Sequence, residues 1–296
     1  MQLVKTISSA FLMVATLSSN LSAHAEALAE AQVEIKIPLT KKPTTRPMTV
    51  AFVPQYQHYY IADGGLAPMG TDTEAPISKS EIHVFDAEGK YLQSSKPGYD
   101  NRVIYFNQKT YQLETITYNV SSGAGFSPNT GIFALDLTEQ GGLTDSSRDV
   151  FGFNPAFGDA ATMPTYNPDL NVYYAKQERS NQVWVVDLSK REKVGLIELD
   201  FKAAGVNHDD VSDHYVAYTG INGEELAMVD VDHKAILIFN LQGKFVGRSM
   251  LPPSMKLRAQ NHYNGLGFAN GLMFIYHEPE GEFGTYYGFK FSSLGR

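Results

Sequence analysis

An all-β fold is predicted by three observations on the 296-residue sequence. From residue 33 onward, apolar residues alternate in short runs separated by Gly, Pro, Asn and Asp, with almost no helical period. Aromatic residues, 17 Phe and 17 Tyr, crowd those runs, as they do in pleated, half-buried strands. One short phrase also recurs at a nearly constant interval.

The phrase reads Ile82-His83-Val84-Phe85-Asp86, then Ile132-Phe133-Ala134-Leu135-Asp136, Val183-Trp184-Val185-Val186-Asp187 and Ile236-Leu237-Ile238-Phe239-Asn240. Asp136 follows Asp86 by 50 residues, Asp187 follows by another 51 and Asn240 by another 53. A degenerate copy, Tyr287-Gly288-Phe289-Lys290-Phe291, ends 51 residues later. The closing Asp or Asn precedes turn residues such as Glu88-Gly89 and Gln242-Gly243, which predicts side chains bonding the turn backbone between two strands.

The flanks repeat as well. Thr49-Val50-Ala51-Phe52-Val53 and His58-Tyr59-Tyr60-Ile61-Ala62-Asp63 precede the first copy, and comparable pairs precede the third, fourth and fifth. An outer run follows, as in Lys90-Tyr91-Leu92-Gln93 and Lys244-Phe245-Val246-Gly247. Roughly four strands in a period of about 51 residues is the pattern of a β-propeller blade. The last unit has three strands, and Val33-Glu34-Ile35-Lys36-Ile37 stands alone before the first. The sequence therefore predicts a five-bladed β-propeller over 33–296, closed by this N-terminal strand completing the last blade so that no edge stays open.

Ahead of it, Lys5, the apolar stretch 10–15 and Ala23-His24-Ala25 have the layout of a cleaved signal peptide over 1–25, and 26–32 reads as a linker or frayed helical turn. No later run reaches the length of a membrane span, so the expected location is periplasmic or secreted. The absence of cysteine excludes disulfide scaffolds, thiolate metal sites and cysteine nucleophiles. A net charge of −8 without a basic block argues against nucleic-acid binding.

Tyr60-Ile61-Ala62-Asp63 with Glu81-Ile82-His83-Val84-Phe85-Asp86-Ala87-Glu88-Gly89-Lys90 resembles the repeat phrase of the NHL and YVTN-type propellers. Those families mostly have more blades. The resemblance implies structural repeat residues and a role in ligand or protein binding more often than in chemistry; it carries over no catalytic residue.

In a propeller, the connections from one blade to the next and the loops between second and third strands share a face, where function usually sits. Here the connections are 41–48, 96–102, 153–161, 206–214 and 257–264. Their candidate ligand-binding residues are Arg46, Asp100, Arg102, Arg258, Asn261 and His262; the arginines are suited to anions through forked donors. The densest polar run holds His208, Asp209, Asp210, Asp213 and His214. Two imidazoles and three carboxylates suit a divalent cation, calcium through oxygen or zinc through nitrogen, although the spacing matches no established metal motif. The long stretches 64–79 and 121–129 suggest either lids over the channel or plain disorder. The inner runs 49–53, 162–166, 215–218 and 265–268 carry no acid, which argues against the paired carboxylates of a glycosidase. The expected function is binding of a small molecule, glycan or envelope protein. The alternative is a metal-dependent hydrolase or lactonase using the same loops.

Overall fold

The computed structural model describes residues 27–39, 46–64, 80–97, 101–117, 131–151, 157–158, 162–257, 266–278 and 284–293. The chain enters through β1 (Ala27–Pro38) and then builds sheets in order. β2 (Arg46–Val53), β3 (His58–Gly64), β4 (Glu81–Phe85) and β5 (Tyr91–Ser95) form a four-stranded antiparallel meander. A second contains β6 (Asn101–Asn107), β7 (Gln112–Thr117), β8 (Ile132–Leu137) and β9 (Leu143–Phe151). A third contains β10 (Thr165–Asn167), β11 (Val172–Lys176), β12 (Gln182–Asp187) and β13 (Glu192–Glu198). After the short helix α1 (Phe201–Ala204) come β14 (Ala217–Tyr218), β15 (Leu226–Asp230), β16 (Ala235–Phe239) and β17 (Phe245–Met250), then β18 (Leu266–Ala269), β19 (Leu272–His277) and β20 (Thr285–Ser292).

These last strands do not form two separate sheets, as the repeat predicts. They make one eight-stranded sheet in the order β14-β15-β16-β17-β1-β20-β19-β18. The reason is that β1 pairs on both sides. Its register against β20 runs antiparallel from Ala27 opposite Ser292 to Pro38 opposite Thr285. Its first half also meets β17 in parallel at Glu30 and Met250. Ser249 Oγ fastens the seam, lying 2.5 Å from the Leu28 carbonyl and 3.0 Å from that of Phe291. Residues 26–32, expected as a linker, thus belong to β1 from Ala27 onward. Their Ala- and Glu-rich composition favours helix, but two exposed strand edges offer backbone partners that override a weak local preference.

The first strand of each meander takes part in a closed ring. β2 lies against β6, β6 against β10, β10 against β14, β14 against β18, and β18 against β2. The fold is a β-propeller. Gly267 marks the last contact of the ring: a Cβ there would stand 2.6 Å from the Val50 backbone nitrogen, so only glycine lets β18 come this close to β2. Between sheets the packing is apolar. Leu237, Phe239, Met228 and Leu226 pack with Tyr174 and Val183 of the preceding sheet, and Ile37, Phe274 and Tyr286 pack with Val50 and Ile61 of the first.

The predicted turn chemistry is present after three of the phrases. Asp86 Oδ1 accepts from the backbone N–H of Glu88 and Lys90, Asp187 Oδ1 from Ser189 and Lys190, and Asn240 Oδ1 from Gln242 and Lys244. In the second sheet a register shift between Leu135 and Leu137 moves the turn. Thr138 Oγ1 then accepts from Gly142 N, and Asp136 instead takes Arg148 Nε at 3.2 Å. In α1, Asp200 caps the first turn by accepting from Ala203 N, and Gly205 closes it with a positive φ of 69°. Among the described residues no helix is long and apolar enough to cross a membrane. The suggested lid segments 64–79 and 121–129 lie, past Gly64, outside the described residues.

Candidate functional site

Strand alternation gives the propeller two different ends. At one, first strands turn into second strands; at the other lie the second-to-third loops and the connections between sheets.

The turn end holds a cavity of about 490 Å³ at the centre of the ring. Each first strand contributes wall: Phe52 from β2, Tyr105 and Phe106 from β6, Tyr166 from β10, Tyr218 from β14 and Phe268 from β18. The following turns add Pro54, Gln108, Asp169, Ile221 and Gly271. Behind the wall lies a buried polar cluster. Tyr105 Oη donates to Glu114 Oε2 at 2.6 Å and is hydrogen-bonded to the Tyr173 hydroxyl. Glu114 Oε1 accepts from Asn107 Nδ2 at 3.1 Å and Thr110 Oγ1 at 3.2 Å. Burial pushes the Glu114 carboxyl above its usual range, and these three donors oppose the rise. Burial, followed by the charge of Glu114, also pushes the Tyr166 and Tyr173 phenols up. Tyr166 Oη donates to Asn171 Oδ1 at 2.9 Å. At the mouth, the Tyr218 hydroxyl is hydrogen-bonded to Asp169, and its pKa is pushed up to about 12, first by burial and then by the Asp169 charge. The phenols therefore remain protonated, and each directs its hydroxyl to a partner within the protein.

At the opposite end, the second strands of three sheets finish on buried charges. Asp63 Oδ2, at the tip of β3, is 3.4 Å from His83 Nε2, whose Nδ1 is 2.7 Å from Ser94 Oγ. Lys176, at the tip of β11 and fully buried, donates from Nζ to Asp213 Oδ1 at 3.1 Å and to the Asp213 and Gln177 carbonyls at 2.9 and 2.7 Å. Arg179 N donates to the other Asp213 oxygen at 2.6 Å. Asp230, at the tip of β15, has both carboxylate oxygens 3.0 Å from His233 Nδ1. Two carboxylate–imidazole groups here could hold a cation: Asp63, Glu81 and His83, and Glu178, Asp213 and His214, the ligand atoms in each lying within 4.8 Å of one another.

Of the metal-ligating candidates in the 206–214 connection, Asp213 and His214 are buried and come together with Glu178. His208, Asp209 and Asp210 do not join them. His208 Nε2 lies 3.3 Å from Asp209 Oδ1 on an exposed turn, and Asp210 Oδ2 accepts from Asn207 N within that turn. Arg102 is not in a connection: it is the second residue of β6 and buried, with its carbonyl accepting from Thr49 Oγ1. Arg46 begins β2. Asp100, Arg258, Asn261 and His262 lie outside the described residues.

Sequence reasoning missed the cavity because its residues come from segments some 50 positions apart, each an ordinary strand end. The available signal was an aromatic residue near the end of each first strand, as at Phe52, Phe106, Tyr166, Tyr218 and Phe268.

No protein-family model matches the sequence, and no curated protein matches it. Among solved structures, the glutaminyl cyclase of Myxococcus xanthus aligns over 90% of this chain and 98% of its own, with 9% identity and a TM-score of 0.50. A glucose dehydrogenase aligns over 86% of this chain and 98% of its own, at 9% identity and a TM-score of 0.46. The β-propeller domain of Cps50 (Swd1) from Myceliophteria thermophila covers 81% of this chain and 82% of its own, at 11% identity and a TM-score of 0.38. At such identities the likeness is one of fold. The expected resemblance to NHL-type repeats goes no further than the propeller architecture.

Proposed function

We propose that the chain is an exported, five-bladed ligand-binding propeller whose site is the axial cavity at the turn end. The blade count follows from dividing the eight-stranded sheet at β1, which gives β14–β17 one blade and β18–β20 with β1 another. The observation that carries the binding role is convergence: first strands from all round the ring bring aromatic side chains to one cavity of about 490 Å³. A volume in this range takes a small molecule, and rigid strands with a few polar turn residues suit a preformed site. Cleavage of residues 1–25 would deliver the protein to the periplasm or the medium.

The test is a thermal-shift screen of the full-length chain against free amino acids, monosaccharides and small amines. It is repeated on Ile221→Trp, which fills the cavity mouth. A compound that raises the melting temperature of the wild type and not of the variant supports the reading. No response, or an equal response in both, overturns it.

A second reading is a divalent cation held by Glu178, Asp213 and His214, supporting hydrolysis. The close approach of their ligand atoms favours it. Against it, both Asp213 oxygens already accept charge-assisted or backbone hydrogen bonds, and a lysine ammonium beside the carboxylate repels a metal ion. Elemental analysis decides: one equivalent of zinc or calcium that His214→Ala removes would establish this reading.

A further inference from the structure

We infer that the axial cavity takes an organic cation, a substituted ammonium held between aromatic faces and the Asp169 carboxylate. The inference rests on the cavity being the ligand site and names the chemistry it selects.

The lining has a one-sided character. Among the described residues around the cavity, Phe52, Tyr105, Phe106, Tyr166, Tyr218 and Phe268 supply ring surface, Asp169 supplies a carboxylate, and no lysine, arginine or histidine is present. An anion would find no countercharge here and would meet the negative faces of the rings. A cation meets the opposite situation, since ring faces attract it and do so most strongly where water is excluded. Asp169 adds a full negative charge at the mouth, set in place by the Tyr218 hydroxyl, and Glu225 adds to the negative field around that phenol.

A neutral polyol would also stack on aromatic rings, but it needs hydrogen-bonding groups free to receive it. The tyrosine hydroxyls are committed elsewhere: Tyr105 to Glu114 and Tyr173, Tyr166 to Asn171, and Tyr218 to Asp169. The Asn270 amide donates to Tyr59 Oη at 2.8 Å. Thr219 Oγ1 donates to the Glu224 carbonyl and Thr165 Oγ1 accepts from Tyr218 N, so the cavity offers ring surface, the Asp169 carboxylate and the Gln108 amide. That combination suits a weakly hydrated ammonium carrying methyl or aryl groups, which loses little by leaving water.

Calorimetric titration of the full-length chain tests this with four probes: choline, benzyltrimethylammonium, dimethylbutanol (the neutral isostere of choline, with carbon in place of nitrogen) and glucose. The two cations are expected to bind, with dimethylbutanol at least about tenfold weaker than choline. Asp169→Asn should weaken the cations by about five- to tenfold and leave the neutral probes unchanged, and Tyr166→Leu should weaken the cations further. Equal binding of choline and its isostere, or binding of glucose alone, overturns the inference. If glucose binds and Ile221→Trp abolishes it, the cavity remains the ligand site and only the charge preference falls. If no probe binds, or if choline binds Ile221→Trp as well as the wild type, both readings fall.

Discussion

The two ends of the propeller treat polar groups in opposite ways. At the connection end, buried charged groups are met by side chains of the protein: Asp63 by His83, Lys176 by Asp213, and Asp230 by the half-exposed His233. At the turn end, polar groups are also matched, but the phenols point into the wall, so ring surface faces the cavity. A strand tip that ends on a buried charge needs an internal partner and becomes a structural joint. A strand tip that ends on an aromatic with a tethered hydroxyl keeps an apolar face free. The contrast teaches that density of ionisable residues is a poor guide to a site here, because Asp213, in the densest run, is spent on Lys176 of the preceding sheet.

The largest effect should come from breaking a joint. Lys176→Met removes the ammonium that faces the buried Asp213 carboxylate, which keeps the Arg179 backbone N–H, and should cost about 3–5 kcal/mol in urea denaturation. A loss below about 1 kcal/mol would mean that the pair is no joint. Gly267→Ala acts where β18 meets β2. Its new Cβ would press on the Val50 backbone, which cannot retreat without opening the ring, so a loss of about 1–3 kcal/mol is expected in the same assay. An unchanged midpoint would show that the ring contact is loose.

The smallest effect sharpens the comparison through pH. Burial raises the Glu114 pKa above its ordinary value of 4.5, so the folded state holds this proton more tightly than the unfolded chain does. Such a group favours folding fully below pH 4.5 and loses that contribution as pH rises through its folded pKa. Glu114→Gln cannot ionise. Its melting temperature should therefore gain on the wild type as pH is raised from about 4 to 7. A constant difference between the two proteins over that range would remove the buried carboxyl from the account.

Much of the fold was legible because its signals are local. The phrase strands and the Asx turns at Asp86, Asp187 and Asn240 require only alternation and one side chain bonding its own turn. The second sheet was harder to read. Asn101, Arg102, Asn107, Glu114 and Thr115 of β6 and β7 are buried polar residues that interrupt the apolar alternation; Asn107 and Glu114 bond each other, and Ser80 Oγ accepts from Asn101 Nδ2. The site was less legible still. Asp213 and His214 were visible as a polar run, but Glu178 was not, since it comes from a different loop. His208 and Asp209 looked equivalent to their neighbours and lie on an exposed turn instead.

What the sequence determined by itself was the unit: short alternating runs, a repeating period and turn residues, all set by interactions within a few positions of each other. Tertiary structure decided how the units join. The Ala-rich start of β1 became strand because β17 and β20 both presented open edges, and a cavity arose because Phe52, Tyr105, Tyr166, Tyr218 and Phe268, unremarkable one at a time, meet only when the ring closes. Pairing of edges and convergence on an axis depend on contacts between residues far apart in the chain, which local pattern does not encode.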